Sequence, residues 1–359
     1  MKNLLLMLLS GIAGLLCMEG VLRLTLEPSQ IYSSFDTLPV RNQWRNEVQF
    51  WEKYRDSGDI DFATFDPLLG WDFQNDGRRF AGDSTISEVP APHKLRILCI
   101  GDSFVWGNEV EPDENFPALL AARLPSAEVL NMGVPGFGID QAYLKYQHFG
   151  ARYQPDVVVF GIYTSDYERS SMSFSTFAKP RFAVEGSSVT LTNQPVPSPA
   201  DELQRIGAAL EGRWWLTELA KNALAKLRVG ETDRQTYLRS MDQVVSYLLS
   251  ALQNSLHPDQ RLVILHIPRA EAFLAPDPLE ADIESRLRAI YAALELPVID
   301  LGEAFLRGAT REEVVATHYV HRPNGSIGHL SPLGHARIAD LLESWLQSPA
   351  AMGIMRAPD

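Results

Sequence analysis

Five short apolar runs of strand length punctuate the chain: Leu95–Ile100, Glu128–Met132, Val157–Ile162, Leu262–Ile267 and Pro297–Leu301. Between and after them, apolar positions recur at helical spacing over Phe116–Leu124, Ile139–Phe149, Arg234–Leu256, Leu279–Leu294 and Pro332–Leu346. Strands alternating with helices predict an α/β fold in three layers: a central parallel sheet of about five strands, covered on both faces and joined by right-handed crossovers. The rhythm lapses between Tyr167 and Asp233. There RFAVE and SVTLTN flank Gly186-Ser187 and predict a small hairpin, Pro195, Pro197 and Pro199 stiffen a linker, and Ala200–Leu227 is helical in pattern and carries Trp214 and Trp215. An insertion leaving the end of a central strand overhangs any site there, so it reads as a lid; a packing flap or a subunit contact is the alternative.

Leu4–Leu26 is almost entirely apolar, with Glu19 and Arg23 as its charged interruptions. About 23 residues at about 1.5 Å each span roughly 35 Å, enough to cross a bilayer core. Glu19 and Arg23, spaced i, i+4, can pair near the outer end, where Arg23 can snorkel. Lys2 and the terminal amine favour a cytoplasmic amino end. No small-x-small site follows the run, and Leu16 is too large before Cys17 for a lipoprotein signal. The segment therefore reads as an uncleaved anchor in preference to a cleaved signal peptide. Either way the remainder is extracytoplasmic; the expected location is the inner or cytoplasmic membrane, single-pass, with a periplasmic domain. Pro28–His93 is mixed, polar and aromatic-rich, with FDPLLGWDF (Phe65–Phe73) its most structured stretch. The chain thus divides into an anchor (1–27), a stalk and wrapping segment (28–93), an α/β domain (94–348, with the insertion 167–233) and a tail (349–359).

A formal net charge of −13 argues against a nucleic-acid partner, whose phosphates need a basic face. The two cysteines, Cys17 and Cys99, read as small buried hydrophobes rather than a disulfide.

The chemistry lies at strand ends. KLRILCI breaks into GDSFVWG, which presents Ser103 on a glycine turn at the carboxyl end of a strand and at a helix start, where helix-end amides favour developing negative charge. An N-capping serine is the plainer alternative. In NMGVPGFG, Gly133 exposes a backbone N–H; Ser165 and Asp166 follow the third strand in FGIYTSDYE. His329 lies in GSIGHLSPLGH, before a helix that Ser331 can cap with Pro332 at its first position. A serine hydroxyl needs an imidazole to take its proton, and the resulting oxyanion needs donors. Trp106, Tyr163, Asp166, Tyr167 and Arg269 stand at or near strand ends and could line a substrate pocket, with ordinary packing as their other reading. His318, His321 and His335 crowd His329, but no interleaved cysteine or carboxylate completes a metal shell. Gly133, Gly136 and Gly138 do not make the G-x-G-x-x-G order of a dinucleotide turn. No metal or cofactor is expected.

In four blocks the sequence resembles the SGNH, or GDSL, hydrolase superfamily, particularly its bacterial membrane-anchored branch: GDSFVWGNEVEPDENFPALL, LNMGVPGFGIDQ, PDVVVFGIYTSD and GHLSPLGHARIA, in that order. No G-x-S-x-G elbow occurs. The resemblance implies a flavodoxin-like fold and an acyl-ester substrate, with Ser103 as nucleophile and His329 as base. The amides of Ser103 and Gly133, with the Ser165 hydroxyl, would form the oxyanion hole. It suggests an O-acylated envelope or secreted polysaccharide, acetyl esters among them. Two departures stand out: Ser165 replaces the usual Asn before Asp166, and Ser326 and Ile327 occupy the place of the usual Asp before the histidine. A carbonyl, Asp300 or Glu303 are the substitutes for that acid; Asp102 is expected to brace the turn. The alternatives are an O-acyltransferase using the same site, or an impaired protein that binds acylated glycan.

Overall fold

The computed structural model describes residues 2–31, 39–56, 64–72, 86–186, 188–226, 231–275, 277–349 and 351. Five strands, β1 (Leu95–Gly101), β2 (Ala127–Gly133), β3 (Val157–Tyr163), β4 (Arg261–Ile267) and β5 (Val298–Asp300), form one parallel sheet in the order β2-β1-β3-β4-β5. Parallel strands buried on both faces read as continuous apolar runs, and alternate residues divide between two cores. Leu98, Ile100, Leu130, Phe160 and Ile264 face one, under the helices Ile139–His148, Glu231–Ser255 and Pro278–Ala293. Ile97, Cys99, Val129, Val159 and Val263 face the other, under Phe116–Arg123 and Pro332–Leu346. The three-layer expectation holds, with element ends shifted by up to three residues.

The reversal of strand order beside β1 leaves a crevice outside the carboxyl ends, where open α/β sheets bind ligands. Gly101 and Gly133 face one another there in register. A Cβ on Gly133 would lie 2.4 Å from the Trp106 backbone nitrogen, so glycine is what lets the turn bearing Ser103 sit directly on β2.

Outside the sheet several expectations change. The presumed stalk contains a helix, Pro39–Tyr54, and a short hairpin that buries Trp71 against Phe137; Phe73 lies outside the described residues. The hairpin of the insertion forms as Arg181–Glu185 and Ser188–Thr192 around Gly186, with Ser187 outside the described residues. The helical stretch after it breaks at Gly212 into Pro199–Glu211 and Trp215–Lys226; Leu227 is not described. Phe174, Ala178, Val196, Ile206, Leu210 and Trp215 of the insertion pack with Ile31, Val48 and Phe50 of the amino-terminal segment. Its hairpin rests on Glu231–Ser255, with Phe182 and Tyr247 ring centroids 6.1 Å apart. These contacts are of the kind a packing flap makes, one of the alternatives to a lid. Cys99 is buried as expected, but Cys17 is exposed on the helix Lys2–Thr25, because that helix projects from the body and is apolar all round.

Candidate active site

β1 ends at Gly101, whose φ of +152° suits glycine, and a Cβ there would meet Gly161 O at 2.5 Å. Asp102 then caps the one-turn helix Ser103–Trp106, its carboxylate accepting from Phe104 N at 2.9 Å. Asp102 braces the turn as expected, and Arg169 Nη1 donates to its other oxygen at 2.9 Å. The same guanidinium nitrogen donates to Asp166 Oδ1 at 2.6 Å and Phe137 O at 3.2 Å. One arginine, three residues past the end of the third block, thus ties together the segments after β1, β2 and β3. Nothing in the sequence pattern singled it out.

His329 arrives from the short strand Ile327–Leu330, fixed by the helix that Ser331 caps at Gly334 N. Its Nε2 lies 2.9 Å from Ser103 Oγ. Its Nδ1 lies 2.7 Å from Glu109 Oε2, and its backbone N–H donates to that same oxygen at 2.7 Å. A carboxylate on Nδ1 assigns the proton there, leaving Nε2 free to accept from Ser103. The partner of His329 is therefore Glu109, six residues after the serine, and neither Asp300 nor Glu303. Asp300 instead takes Arg288 Nε at 2.8 Å and caps the following helix at Glu303 N, at the far edge of the sheet.

Arg322 holds Glu109 in place, donating from Nε at 2.6 Å and Nη2 at 3.0 Å to its two oxygens. This fork is the first cause that holds the Glu109 carboxyl down, to about 2, with the His329 contacts adding to it against the cost of partial burial. Gly328 makes the room: a Cβ there would lie 2.4 Å from Glu109 Oε2. The signal that could have found Glu109 was indirect, a glycine immediately before a histidine that lacked its usual acid.

The other expected residues divide. Gly133 is buried, and its N–H donates to Asn131 Oδ1 at 3.0 Å; Asn131 Nδ2 in turn donates to Val105 O at 2.9 Å. Its amide is committed inside the fold, so its expected oxyanion role is corrected to a packing one. Further along the loop, Gly136 is half-buried at φ +84°, and its N–H has no acceptor among the described residues. Ser165 lines a small cavity of about 70 Å³ with Glu168, Arg269, Asp277 and Glu280; no hydrogen bond joins it to Ser103. Burial drives Glu280 up to about 7 there. Arg269 sits over that cavity and is partly exposed. Tyr163 stacks on Phe104 with ring centroids 4.2 Å apart, and Phe104 lies 4.9 Å from the His329 ring. Trp106, the last residue of the one-turn helix, is half-buried. Tyr167 is fully buried and donates to Leu238 O and Asp242, which corrects the pocket reading: it is a core residue. Asp166 is buried too, accepting from Tyr163 N and Arg169, so it shapes the site from below. His318, His321 and His335 each have a separate partner: Thr317 Oγ1, Val315 O and Phe116 N.

The model of the GDSL-like lipase/acylhydrolase family matches residues 99–337, which include the first three blocks and the fourth as far as Arg337. No curated protein matches the chain. Among solved structures it is similar to a putative lipolytic G-D-S-L protein from Desulfitobacterium hafniense, at 11% identity over 70% of this chain and 99% of that one, TM-score 0.39. A lipolytic G-D-S-L protein from Veillonella parvula shares 13% identity over 71% and 100%, TM-score 0.39. An acetyl xylan esterase shares 14% over 70% and 100%, TM-score 0.37.

Proposed function

The chain belongs to the GDSL-like lipase/acylhydrolase family, and from that premise we propose that it is a serine esterase cleaving acyl esters, acetyl esters of carbohydrate among them, on the outer face of a membrane. The observation that carries this reading is the line from Ser103 Oγ through the His329 ring to Glu109, with contacts of 2.9 and 2.7 Å. Ser103 Oγ attacks the ester carbonyl carbon as its proton passes to His329 Nε2. The imidazolium so formed keeps its Nδ1 proton on the ionised Glu109, which supplies the counter-charge. The oxyanion takes the Ser103 amide, at a helix start, and the Gly136 amide, each such donor being worth roughly 3 kcal/mol. His329 then returns its proton to the departing alkoxide. Water, deprotonated by the same nitrogen, splits the acyl-enzyme and regenerates the serine.

The case for an impaired binding protein rests on Ser165 in place of Asn and on the lack of an acid for His329; the Glu109 contact supports the esterase reading on the second point. The carbohydrate part of the reading follows from the family resemblance together with the proposed extracytoplasmic location. The purified chain should turn over p-nitrophenyl acetate and be labelled at Ser103 by a serine-directed phosphonate, with Ser103→Ala abolishing both. Absence of both turnover and label in the wild-type chain overturns the reading. Release of acetate from acetylated xylan or mannan, but not from triacylglycerol, is the expected pattern for the carbohydrate part.

A further inference from the structure

The apolar helix Lys2–Thr25 is exposed for most of its length: Leu4, Leu8, Ile12 and Leu16 are all more than half accessible. Its outer end is different. Glu19 is buried, and its two carboxylate oxygens accept from Trp215 N and Leu216 N, each at 3.0 Å. Those are first-turn amides of the insertion helix Trp215–Lys226, which have no partner within their own helix. Arg23 completes the clasp: Nε donates to Glu19 at 2.7 Å, Nη2 donates to Arg213 O at 2.6 Å, and the guanidinium lies 5.2 Å from the Trp215 ring centroid. Leu22 and Leu26 pack on the apolar cluster of Ile31, Phe50, Leu210 and Trp215.

We infer that the apolar segment is retained in the mature protein and that its outer turns clasp the insertion, carrying it on the bilayer surface. The inference rests on the membrane half of the reading above and is independent of the ester chemistry. A dispensable leader has no reason to supply a buried carboxylate to a helix start 196 residues later. Its loss would leave two amides and an arginine-covered tryptophan uncovered, and would strip Leu22 from a core. The stretch that precedes Glu19, residues 3–18, is about 24 Å of helix, shorter than the roughly 30 Å hydrocarbon core. That shortfall is about one helical turn, and the residues from Glu19 to Leu26 make it up, so the clasp, with exposed Trp214 beside it, falls next to the interfacial layer, where tryptophan is favoured.

The test is made on the full chain recovered from membranes. Intact mass spectrometry should give a species that contains residues 2–19; a mass beginning at or beyond Cys17 overturns the inference. In detergent, Glu19→Leu should be cut by protease between residues 210 and 220 about tenfold faster than wild type, as expected for a lost helix cap. Glu19→Gln, which keeps one acceptor oxygen, should fall between them. Equal rates for wild type and Glu19→Gln, whether or not Glu19→Leu can be prepared, also overturn it. Neither readout uses ester turnover, so a failure here is separable from a failure of the proposed activity.

Discussion

Glu109 is the residue on which the site turns. It has a φ of +67°, a region in which a side chain as long as glutamate is uncommon, and it is kept there by four hydrogen bonds from Arg322 and His329. Glu109→Gln should preserve the fold and lower kcat by about 10³–10⁴, with KM little changed, because the imidazolium loses its counter-charge. The pH behaviour follows from Arg322. The carboxyl stands at about 2 rather than its ordinary 4.5, so the stability its contacts confer is present above 4.5 and lost as the pH falls toward 2. Removing the fork in Arg322→Gln lets the carboxyl rise. The activity of that variant relative to wild type should then decline between pH 8 and pH 4, and a flat ratio would show that Arg322 does not tune the acid. Glu109 was illegible in sequence for a physical reason: in GNEVEPDEN it is one acidic loop residue among several, and its partner is 220 positions away.

At the scale of elements, two ionic ties, one half-buried and one fully buried, do what apolar packing cannot: they set the orientation of the segments around the crevice. Arg169 joins three loops through Asp102, Asp166 and Phe137 O. Lys179, fully buried before the insertion hairpin, pairs with Asp140 in the first turn of Ile139–His148 and donates to Arg169 O and Met172 O. Burial pushes the Lys179 ammonium down and the Asp140 carboxyl up, and each is offset chiefly by the other. Lys179→Met leaves a buried carboxylate alone and should cost about 3–5 kcal/mol in denaturant unfolding, whereas Lys179→Met with Asp140→Leu should recover most of it. The strands and long helices were readable because their burial is periodic. The helix Pro39–Tyr54 was not, since its mixed, aromatic-rich composition resembles a linker until Phe50 and Val48 meet the insertion.

For the whole molecule, the insertion links two distant parts: it leaves the carboxyl end of β3 beside the crevice and packs against the outer end of the apolar helix. Beside the crevice, burial raises Glu280 from 4.5 to about 7. The folded chain then holds more protons than the unfolded one between those values, so this group's contribution to stability falls as pH rises through that window. Wild type should lose about 2–4 °C of Tm relative to Glu280→Gln between pH 5 and pH 8, read by calorimetry; no relative loss would mean that Glu280 is ionised without cost.

The amino-acid sequence alone determined the layers, the strand sequence and the two partners Ser103 and His329, because those follow from local periodicity, from turn chemistry and from blocks of neighbouring residues. Only the tertiary structure decided which carboxylate serves the histidine, that Gly133 spends its amide on Asn131, and that the first helix ends inside the fold at Trp215. Each of these depends on a contact between segments far apart in the chain, and a hydrogen bond made across such a gap leaves no spacing to read.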